Sequence, residues 1–151
     1  MPLDPSFVGR SYPPSEPYLV GREKIREFAD AIGATDLAYR DPSAAQALGH
    51  PDVIAPPTFP VIVAMAAAQS IVDDPALGVD YSRVVHGDQR FAYSRPVRAG
   101  DSLVCVSTVE EARTMAGMDF LTTRTDVTTE AGEAVVSVWS RLVVRGEAGA
   151  A

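Results

Sequence analysis

Residues 55–75, APPTFPVIVAMAAAQSIVDDP, decide the fold. From Val61 to Val72 only Gln69 and Ser70 are polar, and small side chains fall at Ala64, Ala66, Ala67 and Ala68. A helix that is apolar all round is one that a protein encloses, so the stretch predicts a buried central helix over 59–72. Thr58 is placed to cap it. Pro60 fits the first turn, where the missing N–H of proline costs nothing, and Asp73, Asp74 and Pro75 end it. The longest apolar run, Phe59–Ala68, is about half the ~20 residues that a membrane span needs.

Beyond residue 84 the texture changes to β-branched residues in alternation. This predicts strands over Val84–Tyr93, Leu103–Glu111, Phe120–Thr128 and Val135–Arg145. Pro96 with Ala99-Gly100-Asp101, then Thr114–Gly117, then Glu130–Glu133, supply the turns between them. On the N-terminal side, Ile25, Phe28, Ala29 and Ile32 share one face of a helix over 22–32, and Gly33 is its natural stop. Tyr18–Val20 reads as an edge strand. Asp41-Pro42 opens a short helix as N-cap and first residue, and Gly49 closes it. Five prolines within residues 1–17 predict an extended surface arm, and residues 146–151, GEAGAA, a disordered tail. One α+β domain over 1–151 follows, an antiparallel sheet of about five strands wrapped around a buried helix.

Composition narrows the function. Thirteen basic against twenty acidic side chains leave a net charge of −7, which argues against nucleic acid or an anionic membrane as partner, because both need a basic face. One cysteine, Cys105, cannot form an internal disulfide, and the N-terminus has no apolar signal region, so the expected location is the cytoplasm. Two histidines and one cysteine, widely separated, match no zinc spacing. Phosphate-loop, dinucleotide and nucleophile-elbow motifs are absent. No metal and no cofactor is expected.

Residues Gly33–Pro42, GATDLAYRDP, resemble the active-site loop of the MaoC-like dehydratases and R-specific enoyl-thioester hydratases, which runs roughly G-D-x-N-P-x-H-x-D-P. The resemblance extends to REKIREFADAIG before the loop, to APPTF, and to GDQRFAYSRPVRAGD with R-P-V-x-A-G-D intact from Arg95 to Asp101. It implies the hot-dog fold, a curled sheet around a central helix. It also implies reversible hydration of a 2-enoyl thioester, in which a paired Asp and His handle the protons.

Here the two catalytic positions hold Ala34 and Tyr39, and the loop asparagine is Asp36. A positioned acid or base contributes roughly 10²–10⁴ in rate. Ala34 can be neither, and a phenol with an ordinary pKa of ~10 is a poor base near neutrality. The family's oxyanion glycine aligns with Pro60, which has no N–H to give; such a donor is worth about 10²–10³ in rate. Three parts of one mechanism are missing together.

The pattern is similar to the non-catalytic subunit of two-subunit (3R)-hydroxyacyl-ACP dehydratases. That implies an accessory chain binding an acyl-ACP or acyl-CoA thioester, as a heterodimer with a catalytic MaoC-like subunit or a homodimer when alone. Substrate contacts are expected at Tyr39, Thr58, Phe59 and His86, with no catalytic residue of its own. The small residues of the central helix either leave room for an alkyl chain or let helix and sheet pack closely.

Two other readings stay open. The chain could be an active hydratase with displaced groups, drawn from His86, Asp88, Asp36 and Tyr39. His86 and Asp88 sit at i and i+2, which share a strand face, and would form a surrogate pair. Alternatively, it could be an acyl-thioester or lipid-binding module without chemistry. Thioester hydrolysis is weaker still, because residues 59–72 carry no carboxylate.

Overall fold

Alternation builds the sheet. In the computed structural model, which describes residues 3–146, strands β1 (Tyr18–Leu19), β2 (Val84–Tyr93), β3 (Ser102–Met115), β4 (Met118–Thr129) and β5 (Ala134–Val144) form one antiparallel sheet. Their order is β1-β3-β4-β5-β2. Along β3, Leu103, Cys105, Ser107 and Val109 are buried while Val104, Val106 and Thr108 are half-buried, the period of two that turns one face to the core. Helices α1 (Arg22–Ala31), α2 (Pro42–Ala47) and α3 (Val61–Val72) complete the fold. The arrangement is the expected hot-dog plan, with α3 in the curl of the sheet. Met1, Pro2 and residues 147–151, most of the expected tail, lie outside the described residues.

β3 and β4 run further toward each other than alternation indicates. The turn between them is only Ala116-Gly117, with φ of 53° and 75°, and Met115 pairs with Met118. Two residues at positive φ make the tight hairpin whose twist matches its strands.

The arm is more than a surface segment. Leu3 and Phe7 are buried. Gly9 N–H donates to the Val109 carbonyl at 2.8 Å, Tyr12 N–H to Ser107 and Ser15 N–H to Cys105, both at 2.9 Å. Residues 9–15 thus cover the β3 edge that β1 leaves open, which removes an aggregation-prone row of backbone groups.

The helix expected to be enclosed is enclosed on one side only. Val63, Ala64 and Ile71 of α3 are buried, but Met65 keeps 43% of its surface and Ala66, Gln69 and Ser70 are exposed. A single curled sheet covers one face of a helix, and nothing else in the described chain reaches the other. Thr58 does not cap α3 with its side chain. Its carbonyl instead accepts Val61 N–H at 3.1 Å and the Phe59 carbonyl accepts Ile62 N–H at 3.1 Å, while Pro60 occupies the N-cap. A tightened backbone turn does the work that the hydroxyl was expected to do.

Two apolar cores flank α3. One holds Ile25, Val53, Phe59, Leu103, Val127 and Val138. The other holds Leu3, Phe7, Ile71, Val109, Leu121 and Leu142. The segment R-P-V-x-A-G-D is structural. Arg95 Nη1 and Nη2 each donate to a different oxygen of Asp101 at 2.9 Å, and Asp101 also accepts Arg98 N–H at 2.9 Å.

Candidate functional site

The loop after α1 is held rigid by its own polar groups. Gly33, at φ 71°, ends the helix. Its N–H donates to the Asp30 carbonyl at 3.1 Å, and Ala34 N–H reaches back to Ala29 at 2.8 Å, the double closure of a Schellman motif. Asp36 caps the 3-10 turn Leu37–Tyr39, its Oδ1 accepting Ala38 N–H at 2.9 Å. Arg40 Nη2 donates to the Ala34 carbonyl at 2.5 Å, and its other terminal nitrogen pairs with Asp30. Asp41 caps α2 through Ser43 N–H. The loop keeps the frame of a proton-transfer site and spends its carboxylates on backbone.

Tyr39 packs against the first core and lines an open cavity of about 340 Å³ with Ile54, Pro57, Tyr93 and Arg95. Tyr93 Oη donates to the Pro57 carbonyl at 2.6 Å. Burial first, and then the neighbouring Tyr39, push the Tyr93 phenol well above the ordinary range, so it stays protonated. Arg95 has no free fork, since Nε donates to Glu133 at 2.8 Å and Nη1 and Nη2 to Asp101. These partners, Asp101 before Glu133, hold its guanidinium charged. The cavity is an apolar slot with one fixed, neutralised cation at its wall. Its other polar side chains are the phenols of Tyr39 and Tyr93 and the Ser94 hydroxyl.

A second open groove of about 350 Å³ runs between α3 and the arm, lined by Ile62, Ala66, Ala67, Pro17 and Tyr18. The alanines divide by face. Ala64 is buried and lets helix and sheet approach, whereas Ala66 and Ala67 open this groove.

Of the residues expected at the site, the structure brings Tyr39 to Tyr93 and leaves the others elsewhere. Thr58 is exposed on the turn before α3. Phe59 is fully buried, edge-on to Phe28 with centroids 5.5 Å apart, so it supports the wall and offers no surface of its own. His86 lies toward the far end of α3, on a small cavity of about 40 Å³ with Gln69, Thr123 and Ser140.

The surrogate pair does not form. A bulge between His86 and Asp88 shifts the register, so His86 lies opposite Leu142 while Asp88 lies opposite Arg141. Residues opposite one another share a face, and Asp88 pairs with Arg141 at 3.2 Å, away from the core. The i, i+2 rule fails because Gly87 inserts one extra residue. Asp36 is likewise committed to its cap. Cys105 is buried, which pushes its thiol up to about 11, far from a thiolate at neutral pH. Motif reasoning misses Tyr93. Its signal is the alternation Gln89, Phe91, Tyr93, which carries the inward face to the end of β2.

Among the described residues, no group of three or more His, Cys, Asp or Glu could hold a metal ion, and no helix is long and apolar enough to cross a membrane.

Residues 6–138 match the family model described as FAS1-like, dehydratase domain region. A UPF0336 protein of Streptomyces coelicolor is 61% identical over 145 residues, covering 96% of this chain and 97% of the relative. Among solved structures, a MaoC-like dehydratase is 34% identical with a TM-score of 0.86 over 93% of this chain, which spans only 43% of that protein. The C-terminally truncated HadBC (3R-hydroxyacyl-ACP dehydratase) complex from Mycobacterium tuberculosis is similar at 32% identity and TM-score 0.81, covering 91% of this chain and 96% of that one.

Proposed function

We propose that this chain, which belongs to the FAS1-like dehydratase-domain family, is the non-catalytic, acyl-accommodating subunit of a heteromeric (3R)-hydroxyacyl-thioester dehydratase of fatty-acid metabolism. It works in the cytoplasm on acyl-ACP or acyl-CoA. The observation that carries this reading is the loop, where Ala34 stands at the family's aspartate position, Tyr39 at its histidine position, and Asp36 is bound to Ala38 N–H. Pro60 at the start of α3 supports it, having no N–H for an oxyanion.

The slot between Tyr39 and Tyr93 and the groove along Ala66 and Ala67 have the apolar walls that an alkyl chain needs. Thioester chemistry is left to the partner.

Heteromeric assembly is supported by the open side of the molecule. Among the described residues, β2 ends the sheet with no strand beyond it. Next to it, Met65 of α3 and Tyr93 of β2 are exposed. A second hot-dog chain joined edge to edge would pair the free backbone groups of β2 and cover the apolar face of α3. The similar HadBC structure is of a complex.

The test is reconstitution. Mixed with a catalytic MaoC-like chain from the same cell, the protein is expected to elute as a one-to-one complex and to alter that chain's activity. A protein that only self-associates in the mixture would overturn the reading.

A further inference from the structure

Between its two apolar cores, the inward face of the sheet carries four buried hydroxyls: Ser107, Thr123, Thr125 and Ser140, none more than 9% exposed. Ser107 and Thr125 satisfy each other at 2.8 Å. Ser140 accepts from Gln89 Nε2 at 3.2 Å. Thr123, paired in register with Ser140 and 3% exposed, has no hydrogen-bond partner among the described residues. Among the described residues the fully enclosed side-chain polar atom without a partner is Arg141 Nε, so the Thr123 hydroxyl reaches the space beside it.

Thr123 opens on the cavity of about 40 Å³ beneath α3, where Ser140, Gln69 and His86 also stand. Gln69 uses its Nε2 on Asp73 at 2.8 Å, and its carbonyl oxygen remains an acceptor. The volume exceeds the ~10–15 Å³ that a single water-sized occupant requires, and fits one small polar group. No carboxylate, lysine or arginine is in the lining; Met65, Ala68, Val72 and Leu142 make its apolar part, and Tyr81 adds a phenol at the rim. The complement of such a wall is a neutral hydrogen-bonding group carried on an alkyl chain.

We propose that this pocket is a recognition site for a hydroxyl group on an acyl chain, with Thr123 as its central partner and Ser140, Gln69 and His86 around it. The inference rests on the acyl-accommodating role above and deepens it. The chain selects acyl groups bearing a hydroxyl remote from the thioester over plain alkyl chains.

The test is calorimetric titration of the full-length chain with N-acetylcysteamine thioesters over a ladder of chain lengths. Each length is tested with a terminal hydroxyl and with a methyl group in its place. At one length the hydroxylated thioester is expected to bind about five- to tenfold tighter, the worth of one net hydrogen bond. Thr123→Val is expected to abolish that preference and leave the methyl-terminated affinity unchanged. Should Thr123→Val fail to fold, Gln69→Leu, on the exposed side of α3, is expected to reduce the preference. Methyl-terminated chains that bind with no gain from the hydroxyl at any length would overturn this inference alone and leave a pocket for water. Failure of both classes to bind would overturn it together with the acyl-accommodating role.

Discussion

His86 and Asp88 stand on opposite faces of the sheet although they lie at i and i+2 of one strand. The bulge at Gly87 sets His86 across from Leu142 and Asp88 across from Arg141. A Cβ added to residue 87 in the same conformation would lie 3.3 Å from Val143 Cγ2, so the bulge has little room to be refilled. Groups on opposite faces do not share a proton. The stability losses of His86→Ala and Asp88→Ala, measured by urea unfolding, are expected to add in the double variant within ~0.5 kcal/mol. A larger coupling would place the two side chains together.

Arg95 and Asp101 form the most enclosed ion pair among the described residues, with side chains 15% and 7% exposed. Removing one partner of a buried pair strands the other's charge, at a cost of about 3 kcal/mol or more. Arg95→Ala is expected to lower the urea midpoint by that measure with the slope unchanged. Arg95→Lys is expected to lose less, since it keeps the charge and forfeits the two-pronged contact.

Ala116 carries the positive φ of 53° in the β3–β4 turn. An L-residue with a Cβ pays roughly 1–2 kcal/mol there, whereas Asn-Gly is the favoured pair for such a turn. Ala116→Asn is expected to raise stability by about 0.5–1 kcal/mol in thermal or urea unfolding, with no effect on ligand binding.

Acid is expected to loosen the arm. Asp74 accepts Tyr12 Oη at 2.8 Å and pairs with Arg10 at 3.3 Å. The Tyr12 hydroxyl first, then Ala76 N–H and Arg10, hold its carboxyl below the ordinary range. Asp52 is lowered likewise, chiefly by Arg22, and Glu133 chiefly by Arg95. A carboxylate depressed in the folded state stabilises fully above its unfolded value and loses that contribution as pH falls through the folded one. Thermal midpoints are therefore expected to drop between about pH 5 and pH 2. Asp74→Asn is expected to start lower at neutral pH and fall less steeply.

Much of the fold is legible because its signals are local. The bounds of β2 match the reading from alternation, and α3 ends where its hydrophobic run ends but begins two residues after the expected start at 59. The cap by Asp41 is marked in the sequence by the following proline, whereas the cap by Asp36 carries no such mark and emerges only in the structure. What is not legible depends on the third dimension. An apolar pattern says that α3 is covered, and it cannot say that the described chain covers one side only. Period-two logic places His86 beside Asp88, because a bulge leaves no mark beyond one glycine. In the candidate site, the substitutions at Ala34 and Tyr39 can be read from spacing. The slot that joins Tyr39 to Tyr93 cannot, since 53 residues of chain intervene before they meet.

The central claim is that this chain accommodates an acyl thioester and performs no proton transfer. The most direct measurement is enoyl-thioester hydration by the pure chain, alone and mixed with a catalytic MaoC-like chain from the same cell. No activity alone, a changed rate or chain-length preference in the mixture, and a Tyr39→Phe variant that behaves as the parent are the predicted results. Robust hydration by the chain alone, or a collapse of the mixture's activity with Tyr39→Phe, would contradict it.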